Sequence, residues 1–113
     1  MQTIVELPEY LRKVDAVLGD KEKLEVIDML ARNPLSGVLL KGTGGIRKLR
    51  WQRPGSGKRG GARVIYYFCS SSMPLFLLTI FAKGDRSDLS KRECHELAEI
   101  AQMLRSRYTG RLS

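Results

Sequence analysis

Apolar and polar positions along the chain fall into runs with either a two-residue or a helical repeat, and these runs mark out the elements. In residues 2–7, Ile4 and Glu6 alternate with Thr3, Val5 and Leu7, which predicts a short first strand ended by Pro8. Residues 9–18 place Tyr10, Leu11, Val14, Val17 and Leu18 at helical spacing. Gly19 then reads as a C-cap glycine and Asp20 as the N-cap of the next helix. That second helix is expected over residues 21–32 with Leu24, Ile27, Met29, Leu30 and Ala31 as its apolar stripe, stopped by Asn33 and Pro34.

Most of the remaining β-propensity lies between residues 46 and 82. Residues 46–51 alternate, with Arg47, Leu49 and Trp51 on one face and Ile46, Lys48 and Arg50 on the other, so a core-facing Leu49 sends Lys48 and Arg50 out together. Residues 63–69 and 75–81 are dense in Val, Ile, Tyr, Phe and Leu and read as buried central strands joined by a hairpin connection at residues 70–74. The stretch RPGSGKRGG, residues 53–61, is too rich in Gly and Pro for regular structure and reads as a loop. A last helix to about Tyr108 follows, with Ser90 and Glu93 in capping-box spacing and Leu97, Ile100, Ala101, Leu104 and Tyr108 on its apolar face.

The predicted order is β-α-α-β-β-β-α, without internal repeats. The expected class is α+β: a small, mainly antiparallel sheet with two N-terminal helices packed on one face and a C-terminal helix. At 113 residues, the whole of 1–113 is expected to be one domain, long enough to bury about two-thirds of its unfolded surface. The opening MQTIVELPEY shows no secretory pattern, and the longest apolar run, residues 75–82, is broken by Thr79 and too short for a bilayer, so a soluble cytoplasmic protein is expected.

Charge changes this picture more than composition does. Residues 29–84 carry ten positive charges and no negative one, whereas residues 1–28 have four basic and seven acidic side chains and residues 85–113 six and five. The net charge of +8 therefore belongs to the middle of the chain, between Asp28 and Asp85. A segregated positive field of this kind draws polyanions, with nucleic acid first and an acidic protein or an anionic membrane surface behind it. Within it, Lys48, Arg50, Arg63 and Lys83, with Arg86 close behind, can be gathered by adjacent antiparallel strands, and the lack of carboxylates in the zone favours anion binding over ordinary solvated charge.

Several other chemistries find little support. Gly55-Ser56-Gly57-Lys58 lacks the earlier glycine and the following Ser or Thr of a phosphate loop, since those places hold Gln52 and Arg59. Gly42 to Gly45 fit a turn into a strand. Cys69 and Cys94 read as buried thiols, and with His95 about 100° round the helix from Cys94 no metal site is supported. The single histidine, His95, is expected on a helix surface, which leaves no conventional general base. Clustered Lys and Arg can still stabilise the charged transition state when a ribose 2′-OH attacks a phosphodiester, with no metal or cofactor. Lys58 and Arg59 on the loop suit gripping RNA, Arg47 and Arg53 are further expected contacts, and of Tyr66 and Tyr67 one should face the core while the other, taken as Tyr67, stacks on a base.

Three blocks in order, GTGGIRKLRW, GSGKRGGARVIYYF and LLTIFAKGDRSDLS, resemble the RelE/HigB superfamily of bacterial toxins, and within it the HigB-type branch. The resemblance covers nearly the whole chain. It implies a RelE-like fold and a type II toxin that cuts mRNA in the ribosomal A site, in contact with 16S and 23S rRNA and neutralised by a cognate helix-turn-helix, HigA-like antitoxin. It also implies that Lys48 and Arg50 are the paired basic strand positions, Arg63 the phosphate-contacting arginine, and Lys83 with Arg86 the later basic cluster. The best-known branch has an arginine directly after that lysine and a tyrosine further on, where this chain has Gly84 and Ser90, so the tyrosine's stacking or proton-transfer role is either vacant or moved to another residue such as Tyr66 or Tyr67. The alternatives are a non-catalytic RNA- or ribosome-binding module and an inactive toxin paralogue.

Overall fold

A computed structural model describes residues 1–52, 61–86 and 88–109. The elements are β1 (Ile4–Glu6), α1 (Pro8–Val14), α2 (Asp20–Arg32), β2 (Val38–Leu39), β3 (Ile46–Gln52), β4 (Gly61–Tyr67), β5 (Leu75–Ala82) and α3 (Lys91–Thr109). The five strands form one sheet in the order β1-β5-β4-β3-β2. Only β1 runs parallel to its neighbour, pairing Ile4 with Leu75, and the other pairings are antiparallel. The mixed α and β composition agrees with expectation, and β2 is an addition to it: two residues are too few to show an alternation.

Side-chain alternation gives the sheet two apolar faces. Leu49, Ala62, Val64, Tyr66, Leu75, Leu77 and Ile80 form one buried cluster with Tyr10, Val14, Leu18, Val26 and Leu30 from the α1–α2 region. Ile46, Ile65, Tyr67, Phe76, Leu78 and Phe81 form the other with Leu97 and Ala101 of α3. Along β5 the pairing jumps between Ile65 and Tyr66, which face Thr79 and Leu77, so Leu78 has no direct partner and the ladder bulges there. The central strands β4 and β5 are buried on both sides because helices cover both.

The helical phase of α2 differs from the expected stripe. Val26, Leu30 and Ala31 are buried, while Leu24 is 69% exposed and Met29 lies at the surface. Leu24 is about 200° round the helix from Val26, so the two cannot share a face, and the sheet selects the Val26–Leu30 side. At the start of α2, Gly19 N–H donates to Glu22 Oε1 at 3.3 Å, which makes Gly19 rather than Asp20 the cap. The capping box of α3 forms as its sequence spacing expects: Glu93 N–H donates to Ser90 Oγ at 3.1 Å, and Ser90 N–H to Glu93 Oε1 at 2.9 Å.

Tyr66 ties the sheet to the chain between α2 and β2. Its hydroxyl accepts from Gly37 N–H and donates to Pro34 O, both at 2.8 Å, and burial pushes its pKa upward, which keeps the donor proton in place. A Cβ on Gly37 would lie 2.7 Å from the Tyr66 ring, so the close approach needs glycine. Gly42, Gly44 and Gly45 all have positive φ and turn the chain into β3 as anticipated. Among the described residues no helix is long and apolar enough to cross a membrane.

Candidate functional site

The site begins with the alternation of β3. Leu49 belongs to the α1–α2 cluster and Ile46 to the α3 cluster, so Lys48 and Arg50 point to the α3 side of the sheet. In register, Arg50 lies opposite Arg63 of β4, and Arg63 opposite Phe81 of β5. The next row is Lys48, Ile65 and Thr79. Arg50 and Arg63 thus have Cβ atoms about 5 Å apart, an arrangement of like charges that costs stability.

The segment between β5 and α3 folds back over these rows. Arg86 places its guanidinium 4.7 Å from the centroid of the Phe81 ring and its Nη2 2.6 Å from Glu93 Oε1. Lys48 Nζ lies 3.2 and 3.3 Å from the two oxygens of Asp88. The hydrogen bond from Leu89 N–H, followed by Lys48 and the charge of Arg63, holds the Asp88 carboxyl below its ordinary range despite some desolvation. Glu93 is likewise lowered, first by Ser90 N–H and then by Arg86.

Arg63 is only 7% exposed, and its Nη1 donates to Ala62 O at 3.2 Å. It is a fixed, nearly desolvated cation rather than a solvated one. Lys83 follows the last strand pair and is exposed, its backbone N–H donating to Gly61 O at 2.8 Å. Four of the five expected catalytic cations, Lys48, Arg50, Arg63 and Arg86, thus border one patch on the α3 side, with Lys83 at the end of β5.

The structure corrects two expectations. First, Lys48 and Arg86 each have a carboxylate partner. The acid-free zone is a property of residues 29–84, and Asp88 and Glu93, just beyond it, fold back onto the site. Arg47 faces the α1–α2 side with Leu49 and Trp51, as the alternation of residues 46–51 expects. Its Nη1 donates to Gly37 O at 2.8 Å and more weakly to Leu35 O at 3.4 Å, so it anchors the chain before β2 from the face opposite Lys48 and Arg50. Second, Tyr67 is 0% exposed and its hydroxyl lies 3.4 Å from Arg105 Nη1. With both faces of the sheet covered, Tyr66 and Tyr67 are both core residues, and neither ring is open to a base.

Arg53, Lys58 and Arg59 lie outside the described residues. His95 sits on the exposed side of α3, 3.1 Å from Glu99, as expected, whereas Cys69 is exposed and Cys94 half-buried. No group of three or more His, Cys, Asp or Glu side chains is placed to hold a metal ion among the described residues. Asp88 is the site residue that sequence reasoning missed. Its signal was present in GDRSDLS, where the first carboxylates after the basic zone return within a few positions of Lys83.

The fold is similar to that of a solved structure, a double arginine-to-alanine mutant of the E. coli toxin RelE in the free state. The TM-score is 0.56 at 13% identity, over 88% of this chain and 95% of that one. A family profile described as the RelE toxin of the RelE / RelB toxin-antitoxin system matches residues 14–113. With the sequence profile spanning nearly all of the chain and the fold agreeing independently, this protein belongs to the RelE toxin family.

Proposed function

We propose that this toxin is a ribosome-dependent endoribonuclease that cuts mRNA in the A site without a metal ion. The observation that carries the reading is the row Arg50–Arg63, with Lys48 beside it and Arg86 over Phe81, a set of cations gathered on the α3 side of the sheet. In the proposed reaction a ribose 2′-OH loses its proton and its oxygen bonds to the adjacent phosphorus. The bond from phosphorus to the 5′-oxygen breaks, that oxygen takes up a proton, and a cyclic phosphate remains. Charge builds on the non-bridging oxygens as the new bond forms. Arg63 and Arg50 are positioned to stabilise it, and the low exposure of Arg63 makes that stabilisation stronger than in water.

Lys48 and Arg86 complete the phosphate-binding surface, and exposed Lys83 contacts the RNA backbone beside it. The ribosome supplies the rest: mRNA held in an extended form, with 16S and 23S rRNA as the larger docking surface. A cognate antitoxin, of helix-turn-helix type, is the proposed neutralising partner, and the protein acts where translation takes place, in the cytoplasm.

A second reading is a basic module that docks on the ribosome without chemistry. It is favoured by the carboxylate partners of Lys48 and Arg86, which leave fewer unpaired cations than a cleavage site would use. Cleavage on programmed ribosomes separates the two. Expression of the toxin is expected to arrest growth and leave transcripts cut within translated codons, and combined Lys48→Ala and Arg63→Ala substitution is expected to abolish both. Growth arrest with intact mRNA would sink the nuclease reading and leave the docking module.

A further inference from the structure

The phosphate-binding surface already holds an anion. Asp88 is 40 positions from Lys48 in the chain, yet both its oxygens lie within 3.3 Å of Lys48 Nζ, and the charge of Arg63 acts on the same carboxylate. The two partners differ in kind. The Lys48 side chain is 14% exposed and that of Asp88 57%, so the cation is set into the sheet and the carboxylate closes over it from the solvent side.

What holds Asp88 there is slight. One oxygen accepts from the N–H of its own neighbour Leu89 at 2.8 Å, a local contact that orients the carboxylate within its turn. Among the described residues, Lys48 is its only hydrogen-bonding partner on the sheet. Two carboxylate oxygens around an ammonium occupy the place that the non-bridging oxygens of a phosphodiester would take. Two anions sharing one ammonium repel each other, so a phosphate binds Lys48 more tightly once Asp88 has left it.

We propose that Asp88 is the resident anion of a phosphate subsite formed by Lys48 and Arg63, and that a backbone phosphate of single-stranded RNA displaces it. The proposal rests on the RNA-cutting reading of this site. Its consequence is selectivity: a polyanion with no contact beyond this patch must compete with Asp88, whereas RNA seated on the ribosome gains enough elsewhere to displace it. Asp88 also keeps Lys48 oriented while the site is empty, which makes it a positioning residue rather than a catalytic one.

The test is binding of a 2′-O-methylated hexanucleotide, which cannot be cut, followed by fluorescence anisotropy at fixed ionic strength. Asp88→Asn is expected to bind about fivefold tighter than the unaltered protein, the scale of one partly exposed ion pair. Asparagine keeps an oxygen for Leu89 N–H, and Asp88→Ser does the same if the first variant does not fold. Glu99→Gln, which makes the same charge change beside His95 on α3, should leave affinity unaltered, and in a Lys48→Met background the effect of Asp88→Asn should vanish.

Equal or weaker binding by Asp88→Asn overturns the proposal, as does equal tightening by Glu99→Gln, which would make the effect one of bulk charge. Loss of folding in both the Asn and Ser variants overturns it as well, since the carboxylate would then be structural. Tightened binding without cleavage on programmed ribosomes would remove the nuclease reading alone. Cleavage without tightening would remove this proposal alone.

Discussion

On the α1–α2 side of the sheet, Leu49, Val64 and Ile80 share a buried cluster with Val26 and Leu30, while on the α3 side the adjacent positions of β3 and β4 hold Lys48, Arg50 and Arg63. The strands are the same, and their two-residue alternation sends Leu49 and Val64 to one face and Lys48, Arg50 and Arg63 to the other. The α3 face is itself divided: Ile46, Ile65, Phe76 and Leu78 belong to a cluster with Leu97 and Ala101, and the Arg50–Arg63 row lies at its border. The difference teaches that this fold carries a sealed core and the candidate site on the same strands by separating them across the pleat. The cationic row has a cost, since two arginines directly opposite each other oppose folding.

The sharpest way to break the comparison is to damage the sealed face alone. Leu30→Ala removes a fully buried side chain and should lower unfolding stability by about 2–5 kcal/mol in denaturant titration. The fraction that stays folded should cut RNA at the normal rate, and a fall in rate per folded molecule would show that the two faces are not independent. A smaller and opposite effect is expected on the other face. Arg50→Ala relieves the repulsion with Arg63 and should raise stability by a few tenths of a kcal/mol, while cleavage on programmed ribosomes falls by about 10²-fold as one charge-stabilising group is lost. Lower stability in that variant would show that the row is held by attraction not yet identified.

A third effect is set by pH. The carboxyls of Asp88 and Glu93 both titrate below their ordinary range in the folded state, so each contributes stability that is present above the usual carboxylate range near pH 4 and is lost as pH falls through the lowered folded value. Both groups are partly exposed, so the contribution is modest and screened by salt. Unfolding followed between pH 6 and pH 3 should show the decline, and Ser90→Ala, which removes the hydroxyl that accepts from Glu93 N–H, should lower stability across that range by about 1 kcal/mol. A pH response unchanged by Asp88→Asn combined with Glu93→Gln would place the acid sensitivity elsewhere.

Much of the sheet was legible because periodicity is a local signal. Residues 46–51 announced β3 and the pairing of Lys48 with Arg50 on one face, and the Val, Ile, Leu and aromatic density of residues 63–69 and 75–81 announced β4 and β5. Phase and partner were less legible. Leu24 and Val26 both have the character of core residues, and only the packing of α2 on the sheet decides between them. Tyr66 and Tyr67 were expected to divide between core and solvent, as they would in a sheet covered on one side, but helices on both faces bury them both. Arg47 has the same charge as its neighbours, and its role as an anchor depends on carbonyls of Leu35 and Gly37 that pattern alone cannot bring near it.

The sequence by itself determined the class of fold, the segregation of positive charge to residues 29–84, the cap of α3 and the candidate set Lys48, Arg50, Arg63, Lys83 and Arg86, because each of these is written in residue type and spacing over a few positions. Only the tertiary structure decided that α3 covers the face opposite α1 and α2, that Arg50 stands against Arg63, and that Asp88 and Glu93 return to pair with Lys48 and Arg86. These depend on strand register and on how the β5–α3 segment folds back, contacts that link residues as much as 40 positions apart, and no local pattern encodes which distant charge will meet which.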